Sequence, residues 1–281
     1  EHRAGRFAAR HTDPNRCARE SLKLIAAYAG RGDNRSVTTV LYQPPNELPA
    51  VEPLDMLVVA PHPDDAELGM GGTIAKMVDA GWRVGVLDLT SGEPTPHGSE
   101  EIRAKETSQA TEILGITWRG NAGLPNRSLE HTLAAREHLA GYFRVLRPRW
   151  LFAPYWQDAH PDHVAATEMI EAARFWSKLS KTAMPGERWH PSRLFYYFCI
   201  HLRLAVEPAW IVDISDQWDQ KLSSIAAYHS QFVLGRPTEP PTMLDSIRDT
   251  AAYWGHMIGC RYGEPFASKE PVALTSLRDL I

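Results

Sequence analysis

Residues 54–72 read LDMLVVAPHPDDAELGMGG. An apolar run gives way to two prolines, a histidine and two adjacent aspartates, then to a glycine-rich turn. A short continuous run such as LDMLVVA fits a strand buried on both faces, as in the middle of a parallel sheet. Two adjacent carboxylates repel each other, so a positive partner is expected beside Asp64 and Asp65. A metal ion, a helix N-terminus with a phosphate-bound cation, or plain water on an exposed turn would each answer that need.

Outward from this stretch, strand and helix patterns alternate. TIAKMVDAGW places Ile74, Met77 and Val78 on one helical face, with Gly81 suited to close the helix. RVGVLDLT is the next strand. Ser99, followed by Glu100 and Glu101, opens a helix that runs through IRAKETSQATEIL to Gly115. A further helix is predicted over 131–146, ended by Pro148, then the strand WLFAPYW and the helix HVAATEMIEAARFW. SRLFYYFCI and AWIVDI read as strands, and DQWDQKLSSIAAYHSQF as one helix. Such alternation predicts an α/β fold with a mostly parallel sheet, helices on both faces and a decorated C-terminal portion. Residues 51–281 form the expected single domain. Residues 1–50, Arg-rich and closing on QPPNELPAVEP, read as an N-terminal extension or arm in which SLKLIAAYA forms one helix. Trp254, Tyr262 and Phe266 are expected in the core, with an interface as the alternative.

A chain of 281 residues with 43% hydrophobic residues is ordinary for a globular protein. Its formal charge of -4, with both signs interspersed, gives no footprint for nucleic acid. No apolar stretch reaches the roughly 20 residues needed to span a bilayer. Cys17, Cys199 and Cys260 lack metal-type spacing and suit a reducing compartment, so a cytoplasmic protein is expected.

The chemistry gathers in two motifs. PHPDDAE follows the first strand, and QDAHPDH directly follows WLFAPYW, so both stand at the carboxyl ends of strands, where open α/β sheets bind ligands. A catalytic zinc takes three protein ligands, commonly two His and a carboxylate, and keeps one position open. His62 and Asp65 can converge on one turn, with His163 supplied by the other loop. Zinc held in this way brings the pKa of water to about 7. Asp64 is then placed to take a water proton, and His160 to stabilise an oxyanion or protonate a leaving amine, its ring oriented by Asp162. Solvated turns or helix caps are the plain alternative for each motif alone. The glycines of ELGMGGTIAK do not match G-x-G-x-x-G or a P-loop, and no G-x-S-x-G elbow is present.

The stretch APHPDDAELGMGGTIAK, with AHPDH about a hundred residues later, resembles the LmbE-like (PIG-L) zinc-dependent N-acetylglucosaminyl deacetylases over roughly residues 54–281. The resemblance implies a Rossmann-like sheet and one zinc per chain on His62, Asp65 and His163. It also implies Asp64 as general base, His160 facing the oxyanion and leaving amine, and Asp162 supporting His160. The family's R-x-x-E stretch falls on Arg103 and Glu106, which makes Arg103 a substrate contact. An exposed i,i+3 pair with Glu106 is the alternative. RLFYYFCI, WIVDISDQWDQKLSSIAAYHSQF and WGHMIGCRYGEPFASKEPV resemble the bacillithiol-pathway subgroup, whose members deacetylate N-acetylglucosaminyl malate. GLPNRSL departs from that pattern, with Asn126 where many relatives carry Asp, so a sugar-hydroxyl contact there is altered. The implied partner is a small amino-sugar substrate, with homo-oligomers common among relatives. An amidase acting on thiol conjugates, another N-acetyl-sugar deacetylase and a non-catalytic metal- or sugar-binding protein are the alternatives.

Overall fold

The apolar run becomes the strand β2 (Met56–Ala60), every residue of which is buried. In the computed structural model, which describes residues 39–48, 50–199, 201 and 205–273, β2 lies in the interior of a mixed sheet. It pairs in parallel with β3 (Val84–Asp88) on one side and β5 (Trp150–Pro154) on the other. Leu57 and Val59 pack into one core with Tyr142, Phe143 and Ile170, while Met56, Val58 and Ala60 pack into a second with Ile74, Phe152 and Phe266. Alternate side chains thus enter opposite cores, which is why the sequence shows no polar alternation.

Among the described residues the sheet has eight strands, in the order β1-β4-β3-β2-β5-β6-β8-β7. The other strands are β1 (Thr39–Tyr42), β4 (Trp118–Asn121), β6 (Arg193–Tyr197), β7 (Trp210–Asp213) and β8 (Gly263–Ala267). β1 to β6 are linked by parallel pairings, whereas β8 runs antiparallel to both β6 and β7. From β2 the chain adds β3 and β4 in one direction, then returns to add β5 and β6 in the other. The seam between β2 and β5 is therefore the topological switch point. β1 joins the edge at β4, so the sheet begins upstream of residue 51. The helix expected at residues 21–29 lies outside the described residues.

The described residues form seven α-helices: α1 (Asp65–Asp79), α2 (Glu100–Leu114), α3 (Leu133–Leu146), α4 (Pro161–Trp176), α5 (Trp218–Ala227), α6 (His229–Phe232) and α7 (Met243–Met257). The caps of α2 follow the sequence: the Ser99 side chain accepts from Ile102 N, and Gly115 closes the helix at φ 66°. α3 ends at Arg147 in the left-handed region, one residue before Pro148. The single helix expected over 216–232 is divided into a short 3-10 turn, α5 and α6. The division falls at Tyr228, whose buried hydroxyl donates to Glu67 Oε1 at 3.1 Å. Tyr262 and Phe266 are core residues, and Trp254 is half-buried. No helix among the described residues is long and apolar enough to cross a membrane.

The expected glycine-rich turn is not a turn. α1 begins at Asp65 and carries Gly69, Gly71 and Gly72 inside it, with one non-helical residue at Met70 (φ −151°, ψ 25°). The glycines serve close packing. A Cβ on Gly69 would sit 2.3 Å from the Tyr197 ring, and one on Gly72 would sit 2.7 Å from Ile214. Tyr197 is fully buried and anchored by its hydroxyl to Val59 O at 3.1 Å, so it has no room to yield. Gly69→Ala is therefore expected to destabilise the fold by about 1–3 kcal/mol through overpacking. In an unhindered helix interior the same exchange stabilises by about 0.5–1 kcal/mol. The sign of the shift in a urea unfolding curve separates the two.

Candidate metal centre and active site

Both motifs reach the same crevice. β2 and β3 stay paired as far as Ala60↔Asp88, but β2 and β5 pair only as far as Val58↔Phe152. Beyond that point the chain leaves β2 through Pro61–Asp64 and leaves β5 through Tyr155–His160, and the two loops face each other. His160 is the N-cap of α4, with Pro161 in its first turn, where a missing N–H costs nothing.

His62, Asp65 and His163, all buried, each bring one donor atom to within 4.8 Å of the others. His62 Nδ1 is 3.1 Å from Asp65 Oδ2, and His163 Nε2 is 3.2 Å from the same oxygen. Ligands about 2.0–2.1 Å from a tetrahedral ion stand about 3.3 Å from one another, so these separations match the edges of such a site. His163 is wholly buried, and its Nε2 has no hydrogen-bond partner, an arrangement that a bound cation would satisfy. The other nitrogen of each histidine meets a carboxylate. His62 Nε2 lies 3.3 Å from Asp162 Oδ2, and His163 Nδ1 lies 3.1 Å from Asp158 Oδ2. Carboxylates behind metal-binding imidazoles fix the tautomer and raise ligand basicity. The residues present fit a divalent metal on His62, Asp65 and His163.

The crowded pair at 64–65 is resolved by the backbone. Asp64 has φ 116°, a left-handed conformation rare for any residue but glycine, and its strain is the sort held at functional sites. Asp65 meets the histidines, while Asp64 Oδ2 lies 3.4 Å from Arg103 Nη2. Burial alone would raise the Asp65 carboxyl, but the imidazoles of His163 and His62 outweigh it and hold it well below the usual range. Burial pushes Asp64 up to about 7, with Arg103 opposing the shift and Asp65 adding to it. A dication among the donors would draw both carboxyls lower. Burial, reinforced by the His163 and His62 charges, lowers His160, which keeps its ring neutral.

Arg103 is not exposed: it is 4% accessible, and its guanidinium stands 5.7 Å over the Tyr228 ring. Its Nε and Nη1 are buried without partners. The alternative pair with Glu106 is absent, because that carboxylate takes the Ser230 N–H and hydroxyl, both at 2.7 Å.

Asp162 works differently from the expectation. Its backbone N–H, not its carboxylate, bonds to His160 Nδ1 at 3.2 Å. The carboxylate serves His62 and also accepts Arg127 N at 2.8 Å and Leu129 N at 3.2 Å, tying the 126–129 loop to the site. Asn126 braces the site's rim: its amide donates to Glu93 O at 3.0 Å and its oxygen accepts from Arg127 N at 3.0 Å.

QDAHPDH also contains Asp158. Nothing in the motif says which acid reaches His163. Asp158→Ala is expected to lower metal affinity about 10–100-fold, measured by competition with a chromophoric chelator. Asp88, at the end of β3, grips Arg119 with both oxygens, at 2.8 and 3.0 Å. Arg119 Nη1 also holds Glu67, two residues beyond Asp65. One buried guanidinium thus faces two carboxylates beneath the site. His201 and Cys199 border His163 as well, with the His201 ring 5.2 Å from the His163 ring and Cys199 in a donor group with Asp158 and His163.

The family model described as GlcNAc-PI de-N-acetylase (PIG-L) matches residues 57–174, which span both motifs. The chain is 30% identical over 228 residues to a diacetylchitobiose deacetylase of Thermococcus kodakarensis, covering 74% of this chain and 80% of that protein. It is 29% identical over 195 residues to a probable N-acetyl-alpha-D-glucosaminyl L-malate deacetylase 2 of Bacillus cereus, covering 63% of this chain and 83% of the relative. Among solved structures it is similar to the conserved protein TT1542 of Thermus thermophilus, with 42% identity and a TM-score of 0.73, covering 79% of this chain and 97% of the other. With its two motifs meeting at the switch point of such a sheet, the chain belongs to the PIG-L (LmbE-like) family of de-N-acetylases.

Proposed function

We propose that this protein is a zinc-dependent hydrolase that removes the acetyl group from an N-acetylglucosamine conjugate. The observation that carries the reading is the split His-Asp-His donor set with a second aspartate, Asp64, turned away from it towards a buried arginine. His62, Asp65 and His163 would hold the zinc, which polarises the amide carbonyl and acidifies water when bound. Asp64 accepts the proton of the attacking water, and Arg103 orients that carboxylate. His160 Nδ1 accepts the Asp162 N–H, so in the neutral ring the proton sits on Nε2. That N–H donates to the oxygen that gains charge as water adds to the acetyl carbon. The C–N bond then breaks as the amine takes up the proton that Asp64 received from water, and acetate leaves.

The family description and two of the relatives named above carry an N-acetylated sugar in their names, as GlcNAc-PI, diacetylchitobiose and N-acetyl-alpha-D-glucosaminyl L-malate, which supports N-acetylglucosamine conjugates as the substrate class. The resemblance carried by the stretches 193–200, 210–232 and 254–272 favours N-acetylglucosaminyl malate within it. Cys199 and Cys260 are free thiols, in keeping with a reducing compartment such as the cytoplasm. The test is acetate release by the zinc-loaded protein from N-acetylglucosaminyl malate, diacetylchitobiose and an N-acetylglucosaminyl inositol. Release from any of them supports the deacetylase reading, and a clear preference for the malate conjugate supports the finer one. Zinc-loaded protein that releases acetate from none of the three overturns it.

A further inference from the structure

The helix that carries Asp65 is interrupted. At Met70 the backbone leaves helical geometry, and a break of this kind frees a carbonyl before it and amides after it. In a regular helix Gly72 N would donate to Leu68 O, and Thr73 N to Gly69 O. Here Leu68 O accepts from Lys221 Nζ at 2.8 Å. Gly72 N and Thr73 N donate to the two oxygens of Glu264, at 2.9 and 2.6 Å. Lys221 and Glu264 are themselves ion-paired and are only 3% and 2% exposed. The two groups that would close one helical hydrogen bond, Leu68 O and Gly72 N, each bond to one end of this ion pair.

Lys221 comes from α5 and Glu264 from β8, both beyond the residues that match the family model. A buried ion pair is seldom there for stability, since apolar residues of the same volume often serve as well. This one has a geometric task. It completes the hydrogen bonding of the break, and the break sets the direction of the short leading piece of α1. That piece carries Asp65 and continues directly from Asp64. We infer that Lys221 and Glu264 are positioning residues for the metal centre: by holding α1 open at Met70 they fix Asp64 and Asp65 against His62 and His163.

The inference rests on the proposed zinc site, and its main readout requires no substrate. In a Lys221→Met/Glu264→Leu protein no buried charge is left unpaired, and Leu68 O and Gly72 N can pair with each other as α1 straightens. Zinc affinity, measured by competition with a chromophoric chelator well below the unfolding temperature, is expected to fall about tenfold or more. At saturating zinc, kcat for acetate release should fall while KM moves little. Lys221→Met/Glu264→Gln keeps one acceptor for the two N–H groups and should lie between the wild type and the Leu variant in zinc affinity. It also carries the test if the Leu variant does not fold. Wild-type zinc affinity in either folded variant overturns the inference, including the case in which only the unfolding temperature drops. Wild-type protein that binds zinc but releases no acetate overturns the function instead, and leaves the affinity comparison readable.

Discussion

Asp64→Asn is expected to lower acetate release by about 10²–10⁴-fold, the usual contribution of a general base, while the protein still binds one zinc. Asparagine is nearly isosteric with aspartate and cannot accept the proton. It is also one of the few residues that tolerate a positive φ, so the turn at 116° survives the exchange. The buried Arg103 then loses its charged partner, which Asn answers in part with its carbonyl oxygen. Acetate release and zinc content measured on one preparation decide the matter. Near wild-type turnover would remove Asp64 from the base role, whereas loss of zinc would mean that it helps to hold the metal.

His163→Ala should behave in the opposite way, with bound zinc and activity lost together. His163 joins the two motifs, since Nε2 meets Asp65 and Nδ1 meets Asp158. Removing the ring deletes one ligand, separates Asp158 from the site and leaves a cavity where a wholly buried side chain stood. A two-ligand remnant of His62 and Asp65 falls short of the three that catalytic zinc takes. Elemental analysis after dialysis, paired with acetate release, reads both losses. Zinc retained at one per chain in a folded His163→Ala protein would show that the ligand set lies elsewhere.

Much of this candidate site is legible because its possible ligands sit in two contiguous motifs at strand ends, and strand ends follow from hydrophobic pattern. β2, β3, β5 and β6 are short, doubly buried runs, and α2 announces itself through Ser99 and Gly115. What stayed hidden depends on contacts distant in sequence. The glycines of α1 look like a turn until Tyr197 and Ile214 are seen pressing on them. The exposed pair that Arg103 and Glu106 suggest in sequence is missing because Tyr228 stands against the guanidinium and Ser230 takes the Glu106 carboxylate, contacts distant in sequence. Asp162 looks like a partner for adjacent His160, yet its carboxylate serves His62, 100 residues earlier. β4, β8 and α7 are not among the elements predicted from the sequence. β8, GEPFA, carries a glycine and a proline that argue against an interior strand, but it pairs antiparallel on both sides.

The seam between β2 and β5 has a consequence for the order of events during synthesis. A chain that has emerged through β4 holds His62 and Asp65, two of the three proposed ligands, but neither His163 nor the Asp158 behind it. On that ligand set, loading would wait until β5 docks and α4 starts on His160. Once in place, the cation would act as a stitch just past Val58↔Phe152, where backbone pairing between the two halves of the sheet gives out. With that ligand set, only a chain already folded across its own midline would become armed.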